Sequence, residues 1–243
     1  MSETQFDYNE ITPTWEDSQM YAPTSRHRKR LIKKIIKRLD YETCLDVGCG
    51  QGYLIKEIMM GEGIRAAGCD ISKPVIEKLQ KTDKSCDFFV ADISKKSDDL
   101  PDKKFDLVIC SEVVEHIDDF KTAIFNLCRM SKQYLLITVP TGKIYDIDKY
   151  LGHVWYPTQK DLSDRLNENA YKVLVARQWG FPFLTFYKWL IDFLGAGKVY
   201  KDYTGKYSGF QKLIAFAWYL LFFINNFFSN GLQLIVLAER TGK

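Results

Sequence analysis

The amino-acid sequence predicts an α/β fold in which helices cover both faces of a mostly parallel sheet. Its 243 residues suit one domain of ordinary size. Hydrophobic residues make up 46% and charged residues 27% of the chain, a balance typical of globular proteins and not of disordered ones. Strand-like apolar runs alternate with helical patterns over most of the chain, as in successive βαβ units. Right-handed crossovers then place helices on both faces of the sheet.

The predicted elements can be placed in chain order. The polar residues 1–23 are expected to form an extended arm. Apolar residues at helical spacing predict an amphipathic helix over 26–39, with lysines and arginines covering the rest of its surface. Strands are predicted at 43–47, 64–69, 87–90, 105–110, 134–139, 171–176 and 233–238. Further helices are predicted at 53–60, 74–81, 120–130 and 157–169.

An aromatic-rich insertion precedes the last predicted strand. Residues 180–230 hold 17 of the 35 aromatic residues of the chain. The apolar run 213–224 has 12 residues, whereas a helix needs about 20 to span a bilayer, and asparagines follow it, so we expect no transmembrane helix. Three interpretations of the insertion remain open: additional core or a homodimer face, contact with a membrane interface, and the wall of an apolar acceptor pocket.

The basic helix predicted at 26–39 bears on those interpretations. Its eight lysines and arginines would attract anionic lipid, and RNA is the other partner that they permit. A solvated helix face is the simplest interpretation of such a run. The net charge of +3 is too small to indicate nucleic acid by itself, and no RNA-binding module is visible. Peripheral membrane contact through 181–228 and the basic helix therefore stays open beside a homodimer face, and nucleic acid is not expected.

Six cysteines without C-x₂-C spacing predict buried thiols in a reducing compartment. The N-terminal residues are polar and acidic, unlike a secretory signal. We expect a cytoplasmic protein, and a position at the inner face of the membrane is compatible with that location.

A glycine-rich segment, CLDVGCGQG at 44–52, ends one predicted strand and opens a helix. Glycine at 48, 50 and 52 lets the backbone turn sharply and approach a ligand with no Cβ in the way. The G-x-G-x-G spacing differs from the G-x-G-x-x-G dinucleotide fingerprint. Asp46 would repel a phosphate but suits the positive end of an amino acid. These features predict a ligand made of a nucleoside with an amino-acid tail.

This segment resembles motif I of class I methyltransferases, which depend on S-adenosylmethionine. Asp70 and Ile71 follow the second strand, where the family holds the ribose, and Asp92 and Ile93 follow the third, where it meets the adenine. The fourth strand ends at Cys110, and the run SEVVEHI that follows resembles the EVLEH signature of the ubiquinone-type and sugar-modifying branch. The cofactor-binding residues that the resemblance implies are Asp46, Gly48, Gly50, Gly52, Asp70, Ile71, Asp92, Ile93 and Cys110.

The resemblance implies a Rossmann-like sheet of seven strands whose last strand is antiparallel. It divides the chain into an N-terminal arm or lid at 1–25, the methyltransferase core at 26–178, the aromatic-rich helical insertion at 179–230, and the last strand with a tail at 231–243. Trp15 and Tyr21 belong to the arm that would fold over the cofactor.

The chemistry of methyl transfer selects the candidate catalytic residues. A hydroxyl acceptor needs a general base that titrates near neutral pH. His116 follows the fourth strand, on the side where parallel sheets bind ligands, and His153 precedes a helix that family members use to close over the acceptor. His27 lies in the basic run and is expected to be solvated. No metal is expected, because no set of His, Asp or Glu has ligand spacing in the sequence.

The acceptor can be narrowed but not named. No N/D-P-P-Y/F run, typical of amino methyltransferases acting on nucleic-acid bases, follows the fourth strand. We therefore expect methyl transfer from S-adenosylmethionine to a hydroxyl of a small molecule, glycan or lipid-linked metabolite. The alternatives are an RNA methyltransferase and a cofactor-binding scaffold without turnover.

Overall fold

A computed structural model describes residues 9, 12–59, 63–96, 100–153, 155–203 and 205–242 of the chain. Over these residues the strands form one seven-stranded sheet with the order β3-β2-β1-β4-β5-β7-β6. The strands are β1 Thr43–Val47, β2 Arg65–Asp70, β3 Asp87–Val90, β4 Phe105–Ser111, β5 Ser131–Pro140, β6 Tyr171–Trp179 and β7 Gln233–Arg240.

The sheet is parallel except at its last strand. β2 and β4 both pair in parallel with β1, and β7 runs antiparallel between β5 and β6. The order reverses next to β1, and a reversal of this kind opens a crevice at the carboxyl ends of the strands. The predicted Rossmann-like fold class is thus confirmed.

Helices lie on both faces of the sheet, as the sequence predicts. Their bounds are α1 Glu16–Tyr21, α2 Pro23–Ile36, α3 Tyr53–Met59, α4 Lys73–Thr82, α5 Phe120–Met130, α6 Asp146–Tyr150, α7 Gln159–Glu168, α8 Phe183–Leu194, α9 Ala196–Tyr203 and α10 Gly209–Leu221. One buried cluster joins α2, α3, α4 and α8 to the sheet, and a second joins α5 and α7 to the opposite face. Each face therefore has its own apolar core.

The expectation of an extended N-terminal arm is wrong for the residues that the structure describes. A 3₁₀ turn at Thr12–Trp15 leads into α1, and α2 begins at Pro23 rather than at residue 26. Proline favours the first turn of a helix because its φ is already helical and that turn needs no N–H partner. The predicted basic helix is therefore displaced by three residues at each end. Residues 1–8, 10 and 11 of the predicted arm or lid lie outside the described part of the chain.

The insertion between β6 and β7 is helical, as predicted. It consists of α8, α9, α10 and a 3₁₀ helix at Phe222–Phe227. In the described residues, none of the helices combines the length and apolar character that crossing a bilayer requires.

His27 is buried, against the expectation that it is solvated. Its side chain is 0% exposed, and its ring centroid lies 4.9 Å from that of Trp179. Position 27 precedes Leu31 by one helical turn, so it belongs to the stripe of α2 that faces the core. Burial, assisted by the charge of Arg30, lowers the pKa of His27 from 6.5 to about 4. The ring is therefore neutral at neutral pH.

The six cysteines carry free thiols, and five of them are buried.

Candidate active site

The turn after β1 has the backbone that its glycines predict. Gly48, Gly50 and Gly52 have φ values of 73°, 50° and 74°, in the left-handed region that side chains disfavour. A Cβ on Gly48 would lie 2.2 Å from Cγ2 of Val113. The turn and the loop after β4 are thus packed together, and the first glycine has no room for a side chain.

Two buried carboxyl groups lie beside this turn. Asp46 is 3% exposed, and burial together with the charge of Asp70 raises its pKa to about 8. The carboxylate of Asp70 accepts one hydrogen bond from the backbone N–H of Gly50 and one from that of Ser72, both at 2.9 Å. Burial also raises the pKa of Asp70, although these hydrogen bonds oppose the shift. An acidic pair held this way attracts a positive group or a hydroxyl donor.

Helix α1 covers the glycine turn. The backbone N–H of Gln51 donates to Oε1 of Gln19 at 3.3 Å, and the Tyr53 hydroxyl donates to Oε1 of Glu16 at 3.2 Å. These contacts lie where a lid over the cofactor would lie. Gln19 and Glu16 make them, whereas Trp15 and Tyr21 are the residues of this arm that the sequence analysis names. Glutamine and glutamate on a short polar helix gave no signal that would select them.

The remaining predicted cofactor residues divide between the sheet edge and the interior. Ile71 is 46% exposed at the end of β2. Asp92, after β3, accepts hydrogen bonds from the N–H and hydroxyl of Ser94 at 2.9 and 2.6 Å. Ile93 and Cys110 are buried in the core, so a ligand could reach them only through their backbone. The structure therefore brings Asp46, the glycines, Asp70, Ile71 and Asp92 to one edge.

The two predicted catalytic histidines are in contact. His116 lies in a 3₁₀ turn at Val114–His116 after β4, and its ring centroid is 4.8 Å from that of His153. Nδ1 of His116 lies 3.1 Å from the carbonyl oxygen of Gly152. A carbonyl only accepts, so Nδ1 carries the proton and Nε2 carries the lone pair. Nδ1 of His153 lies 2.9 Å from the hydroxyl of Tyr156.

Burial keeps both rings neutral. It lowers the pKa of His116, and it lowers the pKa of His153 to about 2 with help from the charges of His116 and Lys188.

A buried glutamate completes this group. Glu115 is 0% exposed, and neither carboxyl oxygen has a hydrogen-bond partner among the described residues. Burial and the charge of Glu112 raise its pKa well above 4.5. Ligand atoms of Glu115, His116 and His153 lie within 4.8 Å of one another, a set that could hold a metal ion. We call these three residues the histidine cluster; spacing along the chain did not indicate it, because His153 arrives from a distant loop.

Lys188 and Asp148 form a nearly buried ion pair beside the cluster, which sequence reasoning missed. Nζ of Lys188 lies 2.7 Å from Oδ1 of Asp148, with side-chain exposures of 9% and 1%. The same oxygen is 3.9 Å from Nδ1 of His153. The available signal was Lys188 itself, the one charged residue in the apolar run 180–191.

Glu112 carries a strained backbone at the end of β4. Its φ is 59°, a conformation that non-glycine residues adopt mainly where surrounding structure enforces it. Its carboxylate accepts hydrogen bonds from Oγ1 of Thr138 at 3.3 Å and from Nε2 of Gln233 at 3.1 Å. Nη1 of Arg28 lies 3.3 Å from the same group. These contacts hold the segment that carries Glu115 and His116.

Comparison with known proteins identifies relatives of the chain. A family model described as a methyltransferase domain matches residues 24–182. A ubiquinone biosynthesis O-methyltransferase from Nitrosomonas europaea is 26% identical over 125 residues, which are 49% of this chain and 52% of that protein. The chain therefore spans about half the length of this curated relative.

Solved structures share the fold at low identity. Phosphoethanolamine N-methyltransferase 2 from Haemonchus contortus, in complex with S-adenosyl-L-methionine, has a TM-score of 0.64 and 15% identity, covering 99% of this chain and 59% of that one. The [4+2]-cyclase SpnF has a TM-score of 0.63 and 16% identity, covering 97% and 94%. At such identities the likeness shows the fold alone.

Proposed function

The chain belongs to the methyltransferase domain family and uses S-adenosylmethionine, and we propose that the group it methylates is a hydroxyl of a small molecule, a glycan or a lipid-linked metabolite. The observation that carries the proposal is the orientation of His116. A backbone carbonyl fixes its tautomer, and the ring is neutral, as a general base for a hydroxyl must be. The O-methyltransferase name of the Nitrosomonas relative supports the same acceptor chemistry.

The residues around the glycine turn fit the cofactor. Gly48 and its neighbours leave out the Cβ atoms that would block a close approach of a ligand to the backbone. Burial and the charge of Asp70 raise the pKa of Asp46, and the ammonium of an amino-acid tail would provide the opposite charge that favours its ionised form. We propose that Asp46 and the glycines hold the amino-acid portion, and that Asp70, Ile71 and Asp92 hold the nucleoside. When bound, the cofactor supplies an electrophilic methyl group on a sulfonium.

The two histidines are proposed to have different tasks. Nε2 of His116 receives the hydroxyl proton of the acceptor. The pKa of His153 is lowered to about 2, so this ring is a poor base, and we assign it to orienting the acceptor by hydrogen bonding. Lys188 and Asp148 hold His153 in place from the insertion side.

An RNA acceptor is the second candidate, and the surface next to the basic helix argues against it. From residue 213 to residue 238 the chain has no charged side chain. An RNA backbone that followed α2 would therefore meet an uncharged apolar surface, whereas RNA binding depends on several successive phosphate contacts.

The test is transfer of a labelled methyl group from S-adenosylmethionine into an extract of the source cells. Organic-soluble lipid, aqueous small molecules, RNA and protein are separated afterwards. Label in the lipid or small-molecule fraction, in an alkali-stable ether, is the expected result. Label in RNA would overturn the hydroxyl proposal, and cofactor binding with no label in any fraction would favour a scaffold without turnover.

A further inference from the structure

The insertion exposes large apolar side chains on two neighbouring helices and on the turn that follows them. The residues that define this apolar face lie on α8, on α10 and in the turn after α10, and their side chains are between 49% and 86% exposed: Phe186, Trp189, Phe193, Phe210, Leu213 and Phe227. The ring centroid of Phe186 lies 5.6 Å from Trp189 and 6.0 Å from Trp218, so the two helices share one surface. Exposed patches of this kind mark sites where a protein meets an apolar partner.

The face consists of helix stripes that would normally be buried. On α8, Phe186, Trp189 and Phe193 follow the spacing of one helical side, while Lys188 and Ile191 on the other side are buried. On α10 only Ala215 is buried. The side of each helix that carries these residues is therefore left uncovered, although Leu184 and Ile191 on the inner side of α8 are apolar too.

A basic cleft lies beside α10, whose Tyr219 forms part of its lining. It has a volume of about 370 Å³, lies between α2, α3 and α10, and its lining includes Arg26, Lys29, Arg30, Lys33 and Glu57. Four positive groups face one carboxylate, and that carboxylate lies 2.5 Å from Nζ of Lys29. The cleft thus carries excess positive charge.

Arg30 lines the cleft and has hydrogen-bond donors without acceptors in the described part of the chain. Its Nε and Nη2 are buried and have no hydrogen-bond partner within the described residues. Its guanidinium lies 4.1 Å from the ring centroid of Phe223, on the turn that also carries Phe227. Because both atoms are shielded from solvent, a phosphate in the cleft would reach them only after the Arg30 side chain turned towards it. Buried donors without acceptors are uncommon in folded proteins, so an oxyanion in the cleft would favour that turn.

We propose that the apolar face and the basic cleft together dock the protein on a bilayer that contains anionic phospholipid, with the aromatic side chains at the acyl boundary and a headgroup phosphate in the cleft. Tryptophan beside basic residues is typical of side chains at membrane interfaces. A symmetric dimer through the same face would bring the basic clefts of two copies towards each other. RNA would leave the apolar face uncovered.

Docking in this orientation also indicates where the acceptor resides, a step that rests on the proposed function. Helix α8 has the apolar face on one side and Lys188, in contact with Asp148 beside His153, on the other. A helix with its side chains is about 10 Å across and Asp148 lies beyond it, so the histidine cluster would lie more than about 10 Å from the lipid surface. We therefore infer an amphiphilic acceptor that reaches the site from the membrane, on its cytoplasmic side, where anionic lipids are abundant.

Flotation of the full chain with vesicles tests the docking without cofactor or acceptor. Phosphatidylcholine vesicles with and without phosphatidylglycerol serve as probes. We expect strong binding to the anionic vesicles and loss of that binding in the double variant Phe193→Ser/Leu213→Ser, which adds no charge. Arg30→Gln and Lys33→Gln should each weaken binding about fivefold, the equivalent of about 1 kcal/mol for each basic residue removed. Phe125→Ser is the matched control, because Phe125 is 42% exposed on α5, which packs on the opposite face of the sheet.

Several results would overturn the proposal. They are absence of binding by the unmodified chain, equal loss in Phe125→Ser, a dimer in solution that Leu213→Asp dissociates, and RNA binding that the two basic variants abolish. Circular dichroism and cofactor titration of every variant establish that the fold and the cofactor site persist. Because the assay uses neither cofactor nor acceptor, its failure is distinguishable from failure of the hydroxyl-methylation proposal.

Discussion

Lys188 and Asp148 connect the helical insertion to the histidine cluster through one nearly buried ion pair. Nζ of Lys188 is 2.7 Å from Oδ1 of Asp148, and the second carboxyl oxygen accepts the backbone N–H of Tyr145 at 2.9 Å. Both charges are removed from water, so each depends on the other for compensation. The insertion is thereby fixed to the loop that carries His153.

Lys188→Met should destabilise the protein by about 3–5 kcal/mol, because it leaves the carboxylate of Asp148 buried without its partner. Urea unfolding measures the loss. Lys160→Met is the matched control: its Nζ lies 2.6 Å from Asp164, but its side chain is 82% exposed. An exposed pair contributes little to stability, because water screens both charges. Equal losses in the two variants would show that the buried pair does not anchor the insertion.

Gly48→Ala should abolish cofactor binding, because the added Cβ would lie 2.2 Å from Val113 and the residue has a φ of +73°. Either the turn or the loop that leads to His116 must then move. Gly63→Ala separates backbone strain from the clash, since Gly63 has a φ of +63° and no neighbour would lie within 4 Å of its Cβ. Isothermal titration with S-adenosylhomocysteine measures both. Similar affinity of Gly48→Ala and the unmodified chain would show that the turn does not contact the ligand.

The central strands could be predicted from the sequence because they are buried on both faces. Such strands read as continuous apolar runs: β1 has the predicted bounds, and β4 begins at the predicted residue. Helix α1 could not be predicted, because its six residues are too few to be stable alone and depend on contacts such as that of Gln19 with the glycine turn.

The candidate site could likewise be predicted only where the sequence signal is local. The glycine turn is local, and its backbone requirement is visible in the residue types. The contact of Lys188 with Asp148 joins elements distant along the chain, and no local pattern encodes it. The basic neighbours of His27 along the chain predict a solvated side chain. Its place on the apolar stripe of α2 decides instead that it is buried.

His27 should make the protein less stable at acid pH. Its pKa is about 4 in the folded state and 6.5 as the reference, so the unfolded chain binds the extra proton first. The folded state then loses up to about 3 kcal/mol as the pH falls from 6.5 to 4. We expect His27→Leu to reduce this loss in urea unfolding across the range. Comparison with the unmodified chain at each pH cancels the contribution of other titrating groups, such as Asp46, to the free energy of unfolding. An unchanged pH dependence in His27→Leu would contradict the assignment.

His116→Ala should lower kcat by about 10²–10⁴ and leave the affinity for S-adenosylhomocysteine unchanged, because the proposed base touches the acceptor and not the cofactor. Burial lowers the pKa of His116, so the ring stays unprotonated at neutral pH. The rate of the unmodified enzyme should therefore be flat through neutrality and decline only below pH 6.5, as the ring gains a proton. The pH profile of kcat measures this decline at acid pH, which His116→Ala should lack. Added imidazole should restore part of the rate of His116→Ala. If a chelator abolished activity and a divalent ion restored it, the histidine cluster would act as a metal site, and the assignment of His116 as the base would be wrong.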